Sequence, residues 1–283
     1  MSRNATTPDH RDSAVVRNAW DAIATGYNDY VTPVNIPLAN AALDRIDIRP
    51  GTSFLDVAAG SGALSLAAAR RGAQVLGTDI SPVMIEGLND NARRYGMANL
   101  TGRVMDGHDL DLDDSSVDAS GSMFGVMLFP DLARGLGEMA RVTKPGGTVL
   151  MVTFGPPSKV EFLGFFMTAM KRVNPDFAGL PMDPPPLPFQ VSDPAKLQEA
   201  MNQAGLDAVR VETATETQAF ASEAHLWSFM ANSNPIGTRL TGELPPDRAA
   251  SVREVLDRML QERSGGSGSA RLTCPINIAV GTA

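Results

Sequence analysis

One cysteine, Cys274, stands in 283 residues, so no disulfide can form within the chain, and a reducing, cytoplasmic setting is expected. Three histidines, His10, His108 and His225, lie far apart. Their spacing excludes the usual zinc patterns, and no metal site is expected. No run of five or more basic residues occurs, and 24 Lys and Arg against 32 Asp and Glu leave a formal charge of -8. That balance argues against binding nucleic acid or an anionic lipid surface through charge and favours a small partner. No apolar stretch approaches the roughly 20 residues of a membrane helix, and the polar start MSRNATTPDHRDS lacks the apolar heart of a signal peptide.

What is present is 43% hydrophobic residues, enough to build a full core. Residues 1–13 are expected to form a disordered tail. Val15, Val16, Ala19, Trp20, Ile23 and Ala24 recur at helical spacing, Thr32-Pro33 interrupts that pattern, and it resumes from Ile36 to Ile46, so 14–50 reads as a helical cap. From 51 to 154 the texture alternates between strand and helix: Ser53 to Val57, Ala63 to Arg71, Gln74 to Asp79, Pro82 to Tyr95, Leu100 to Met105, Val117 to Phe124, Asp131 to Val142, and Thr148 to Phe154. Such alternation predicts an α/β fold, a parallel sheet with helices on both faces. Ser81-Pro82 and Ser192-Asp193-Pro194 are helix starts. Gly72 and Gly205 are helix stops.

Two segments break the alternation. Residues 155–190 carry Phe162, Phe165, Phe166, Met167 and Met170 at helical spacing, then the proline-dense GLPMDPPPLPF; residues 221–264 carry HLWSFMANSNP and a helix opened by Pro245-Pro246. Both read as helical lid insertions, between which 191–220 returns to a core helix and strand, with 270–283 as the closing strand.

The stretch FLDVAAGSGALSLAAARRGAQVLGTDIS has the order strand, glycine loop, helix, strand, acid. In an α/β sheet, ligands sit beyond the carboxyl ends of the strands, where the strand order reverses. Gly60 and Gly62 let backbone approach a ligand, and Asp79 at the end of the next strand is placed to accept two ribose hydroxyls. A dinucleotide fingerprint needs a third glycine at 65, where Ser65 stands, and a phosphate-binding loop needs Gly-Lys-Ser/Thr, which does not follow Gly62. A ribose-bearing cofactor without a diphosphate remains.

Asp56 within LDVAAGSG, the acid-then-helix TDISPVM, the acid of RVMDGHDL and the closing RVTKPGGTVLMVTF together resemble the class I S-adenosylmethionine-dependent methyltransferases. Within them the chain is similar to the branch of ubiquinone/menaquinone-biosynthesis and small-molecule methyltransferases. The resemblance implies a Rossmann-like, doubly wound sheet of seven strands, mostly parallel with an antiparallel last strand. It also implies S-adenosylmethionine as cofactor, S-adenosylhomocysteine as its product, and a cofactor site of Asp56, Ala58, Gly60 and Gly62 in which the backbone of Ala58 and Gly60 lines the methionine part. Asp79 would hold the ribose, Ile80 and Met84 sandwich the adenine, and Asp106, with Gly107 and His108, meet its amino group. Met123 and Phe124 would lie under the sulfonium, and Tyr27 would close over it. KPGG reads as a turn into the fifth strand.

The expected reaction is methyl transfer to a small, largely apolar acceptor, aromatic, quinone-like, polyketide or terpenoid, with oxygen, nitrogen and carbon all open as the methylated atom. His108, His225 and Tyr27 are the candidates for removing a proton, and Phe162, Phe165, Phe166, Met170, Phe189, Trp227 and Met230 for lining the acceptor pocket. Two other readings stand beside it: an NAD-dependent oxidoreductase on a similar sheet, and a cofactor-binding cyclase or isomerase that transfers no methyl group.

Overall fold

A computed structural model describes residues 11–180 and 183–283; of the tail expected at 1–13, residues 1–10 lie outside them, as do 181–182 of the proline-dense stretch, while 11–13 open a helix instead. The chain runs α1 (Arg11–Gly26), α2 (Thr32–Leu43), β1 (Ser53–Val57), α3 (Ala63–Arg70), β2 (Gln74–Asp79), α4 (Pro82–Arg94), β3 (Leu100–Val104), β4 (Val117–Met123), α5 (Leu132–Val142) and β5 (Thr143–Phe154). It continues through α6 (Glu161–Val173), α7 (Pro194–Gln203), β6 (Asp207–Phe220), α8 (Glu223–Ser233), α9 (Pro235–Gly242), α10 (Pro246–Ser264) and β7 (Ala270–Thr282).

The seven strands form one sheet in the order β3-β2-β1-β4-β5-β7-β6. β7 runs antiparallel to both neighbours, whereas β1 to β5 pair in parallel. The order reverses between β1 and β4, which opens a crevice at their carboxyl ends. Apolar runs on both faces of the central strands explain the parallel arrangement: Phe54, Leu55, Val57, Val149, Leu150, Met151 and Val152 are all fully buried. Helix ends follow the local chemistry. Ser81 Oγ accepts the Met84 N–H at 3.0 Å ahead of Pro82, and Gly72 and Gly205 stop α3 and α7 at φ +89° and +88°.

Two local expectations are corrected. Thr32-Pro33 does not interrupt the N-terminal cap. A single π turn, Tyr27–Val31, joins α1 to α2 instead, and Pro33 sits in the first turn of α2, where its missing N–H costs nothing. KPGG is not a turn ahead of β5 but a bulge inside it. Val117 pairs with Thr143 and Ala119 with Thr148, so the extra residues of β5 loop out. Gly146 takes φ +79° there, and a Cβ on Gly147 would lie 2.6 Å from the Asp118 carbonyl oxygen.

β6 and β7 outrun their neighbours. β5 ends at Phe154 opposite Ile276, but β6 and β7 stay paired from Thr215–Pro275 to Phe220–Ala270. The two strands thus project past the carboxyl edge of the sheet as a ribbon. α6 and α10 pack on it, and Glu161 ties α6 down by accepting the Thr273 N–H at 2.6 Å and pairing with Arg263 at 3.3 Å.

Candidate active site

The loop after β1 turns through left-handed backbone at Ala58, Gly60 and Gly62, with φ of +55°, +55° and +96°. Ala58 carries strain that a glycine would escape. Its Cβ fills the space left by Gly125, where an added Cβ would lie 2.6 Å away, so the loops after β1 and β4 meet as a small-residue pair. Thr32 and Ser61 share a 2.5 Å hydroxyl contact, and Asn91 donates to the Ser61 carbonyl at 2.9 Å. These bonds pin the loop to α2 and α4.

Two carboxyl groups sit beneath and beside this loop. Asp79 accepts the Gly60 N–H and the Ser81 N–H, one on each oxygen at 2.9 Å. A lone pair stays available on each oxygen. Burial pushes its carboxyl up to about 6 against the pull of the Ser81 and Gly60 amides, with the nearby Asp21 charge adding to the rise. Asp56, 1% exposed, takes the Ser65 hydroxyl on Oδ2 at 2.6 Å, while its Oδ1 has no partner. Burial lifts this group to about 7. Ser65, noted in the sequence only as a missing glycine, is therefore the partner of the buried acid.

An unpartnered buried carboxyl oxygen under a backbone-lined loop suits a cationic group. A second carboxyl, with one free lone pair per oxygen, suits a vicinal diol. S-adenosylmethionine has both, an α-ammonium and a ribose, so the donor set fits that cofactor.

α1 covers this region. Ile23 and Ala24 pack with Met84, flanked by Trp20 and Tyr27, and Ser81 Oγ donates to Asp21 at 2.5 Å. Met84 is thereby fully buried while Ile80 stays half-buried. Tyr27 lies over the loop, its Cε1 3.2 Å from where a Gly60 Cβ would stand. Burial first, and then the Asp79 and Asp56 charges, raise the Tyr27 hydroxyl well above its ordinary value, despite a hydrogen bond with Asn35. It is held as a neutral phenol, which removes it as a phenolate base and leaves it as a hydrogen-bond donor.

On the β3 side, Asp106 Oδ1 meets both the His108 N–H, at 2.9 Å, and His108 Nδ1, at 2.8 Å. The hydrogen bond from the His108 side chain is the main cause that holds its carboxyl below the usual range. The His108 ring stacks on Phe129 at 4.3 Å, and a Cβ on Gly107 would lie 2.6 Å from Phe129 Cζ.

Beyond β4 and β5 opens a cavity lined mostly by apolar side chains. Phe124, held at φ +57°, stacks on Phe154 at 4.6 Å to form one wall. A bulky residue in left-handed backbone is a strained outlier of the kind that gathers at functional sites. Tyr27 belongs to both the loop cover and the cavity lining, so the two regions are contiguous.

Of the residues expected to line the pocket, Phe162, Phe189 and Met230 do so. Phe165, Phe166, Met170 and Trp227 do not. Phe166 and Met170 continue the stripe of α6 that begins at Phe162 but are buried in the core away from the cavity, and Phe165 packs against that core. Trp227 packs on Phe166 at 6.1 Å beneath Arg253. Neither His108 nor His225 reaches the cavity lining. His225 Nδ1 instead accepts the Ala221 N–H at 3.2 Å at the start of α8. Met123 is buried at the end of β4 behind Phe124 and is likewise outside the lining.

Met167, in the same Phe and Met pattern of the sequence, does line the cavity; sequence reasoning missed Leu163 on α6 and the polar residues Asn35 and Gln218. For Gln218 a signal was present. It stands two residues before Phe220 in a strand, so both share one face.

A family model described as a methyltransferase domain matches residues 55–151. An uncharacterized protein of Mycobacterium tuberculosis is 33% identical over 153 residues, 54% of this chain and 53% of that protein, so the match spans about half of that relative's length. Nocamycin O-methyltransferase of Saccharothrix syringae is 31% identical over 263 residues, covering 87% of this chain and 90% of that protein. Among solved structures, phosphoethanolamine N-methyltransferase 2 of Haemonchus contortus, in complex with S-adenosyl-L-methionine, has a TM-score of 0.57 at 16% identity. That match covers 98% of this chain and 60% of the other and is a likeness of fold. With the reversal crevice, the loop that fits S-adenosylmethionine and a relative aligned over most of both chains, the chain belongs to the class I S-adenosylmethionine-dependent methyltransferases.

Proposed function

We propose that this protein methylates an acidic hydroxyl, a phenol or an enol, on a small, largely apolar acceptor. The observation that carries the reading is the cavity lining. Among the described residues it holds no carboxylate, histidine, lysine or cysteine, and its one titratable group, Tyr27, is kept neutral. Among the described residues no base lines the cavity, so an oxygen nucleophile there has to ionise by itself, as phenols and enols do and simple alcohols do not. The name of the Saccharothrix relative, an O-methyltransferase, supports oxygen as the methylated atom.

When bound, S-adenosylmethionine supplies a methyl group on a positively charged sulfur, which leaves as a neutral thioether. The protein's work is alignment and exclusion of water. Asp79 and Asp56 hold the polar ends of the donor, the Phe124–Phe154 wall aligns the acceptor, and Tyr27 closes the loop from above. Its aromatic face favours positive charge beside it. The apolar lining suits a flat acceptor and keeps solvent from competing.

The test is methyl transfer from S-adenosylmethionine to a panel of naphthalene-sized phenols and enols, with matched alcohols and amines, read by mass spectrometry. Transfer is expected to the phenols or enols and to follow the acceptor's own ionisation as pH rises. Transfer confined to amines or to non-acidic alcohols contradicts the proposal.

A further inference from the structure

Among the polar groups of the cavity, Gln218 stands apart. The residue is 3% exposed and lines the cavity, and its Oε1 has no hydrogen-bond partner. The other amides there are engaged. Asn35 bonds to the Tyr27 hydroxyl, and Asn234 accepts the Ile236 and Gly237 N–H groups and donates to Ser233. A buried amide oxygen without a partner is expensive to maintain, and in a binding cavity the missing partner belongs to the ligand.

Position narrows the role. Gln218 lies on the β6–β7 ribbon, paired with Leu272 beyond the end of β5. β6 is three strands from β4 in the sheet order, a separation of roughly 14 Å at the usual strand spacing. The methyl donor's loops are those after β1 and β4. Gln218 therefore faces the far end of the acceptor, away from the atom that receives the methyl group.

Resting on the acceptor reading above, we infer that Gln218 is a specificity-determining residue that holds a hydroxyl at the end of the acceptor remote from the methylated oxygen. A hydroxyl both donates and accepts, so it satisfies the amide in either orientation of its oxygen and nitrogen. The substrate class becomes an elongated apolar molecule with an acidic hydroxyl at one end and a second hydroxyl at the other.

The test is equilibrium dialysis of 1-naphthol and 1-fluoronaphthalene, a pair alike in shape but differing in the hydroxyl, against the full chain with S-adenosylhomocysteine present and absent. The wild type is expected to bind 1-naphthol roughly tenfold more tightly than 1-fluoronaphthalene. Gln218→Met is expected to abolish that preference by weakening 1-naphthol while 1-fluoronaphthalene binds as well as before or better. Circular dichroism and S-adenosylhomocysteine affinity report whether the variant is folded, and Gln218→Leu serves if Gln218→Met is not. A wild type without the preference, or a folded variant that keeps it, overturns the inference. If S-adenosylhomocysteine binds but the preference is missing, this inference fails alone. If the preference is present but S-adenosylhomocysteine does not bind, the donor reading fails and Gln218 keeps its role.

Discussion

The donor half of the site is made of backbone and carboxylates, whereas the acceptor half is made of aromatic and aliphatic side chains. In the proposed reading the donor is held by the 58–62 loop, Asp56 of β1 and Asp79 at the end of β2, each fixed by hydrogen bonds a few residues away in the chain or one strand over. The acceptor cavity is assembled from α1, α2, the ends of β4 and β5, α6, β6, α8 and α9, with Leu180, Pro186, Pro188 and Phe189, residues that meet through tertiary packing. The first kind of site is specified locally. The second depends on which face of each helix turns inward.

The largest effect that sharpens this contrast is expected from α6. Phe166→Ala, on the core face, should cost about 3–5 kcal/mol of folding stability with little change in acceptor preference once folded. Leu163→Ala, on the cavity face, should cost less stability and widen the range of acceptors. Thermal melts and the acceptor panel read the two together, and equal losses of stability would erase the distinction between the faces.

Next in size, Asp79→Ala is expected to weaken S-adenosylhomocysteine about tenfold to a hundredfold, the worth of hydrogen bonds to a charged group, and to leave the preference for 1-naphthol intact. Comparable losses at both ends would mean that the two halves are not separable.

The pH dependence follows with the opposite sign from most carboxylates. Asp79 and Asp56 titrate at about 6 and about 7 in the folded protein, against an ordinary value near 4. The folded state binds their protons more tightly than the unfolded chain does, so their contribution to stability is present below about pH 4 and is lost as pH rises to about 7. Cofactor binding favours the ionised forms, so S-adenosylhomocysteine should stabilise more at pH 8 than at pH 5. Melting curves across that range check both statements, and Asp79→Asn should flatten the window between about pH 4 and 6.

The smallest effect concerns Ala58. Ala58→Gly relieves a left-handed backbone and is expected to stabilise by up to about 1 kcal/mol, less what is lost where its Cβ packs against Gly125.

The same division governs how much could be read from the sequence. The strands, the reversal of strand order implied by the resemblance, the helix starts at Ser81-Pro82 and Asp193-Pro194, and the stops at Gly72 and Gly205 all rest on short-range chemistry, and the structure has them. The bulge at KPGG escaped because a positive-φ glycine serves a turn and a bulge equally well. Only the pairing of Val117 with Thr143 separates them.

In the acceptor half, α6 has an apolar arc broad enough to serve both the core and the cavity. Its periodicity marks a helix without saying whether Phe166 and Met170 or Leu163 and Met167 face the cavity. His225 looked chemical beside Trp227, but its place at the first turn of α8 gives it a backbone N–H to accept. Gln218 shares a strand face with Phe220, which alone does not place it in a cavity. Its meaning comes from a ribbon that overruns β5 and buries it without a partner.

Titration calorimetry of S-adenosylhomocysteine into the wild type and into Asp79→Asn tests the central claim most directly. The account expects saturable binding near one to one by the wild type and clear weakening in the variant, which leaves shape but removes a charged acceptor. Absence of binding by well-folded wild type, or equal affinity in the two proteins, would contradict it.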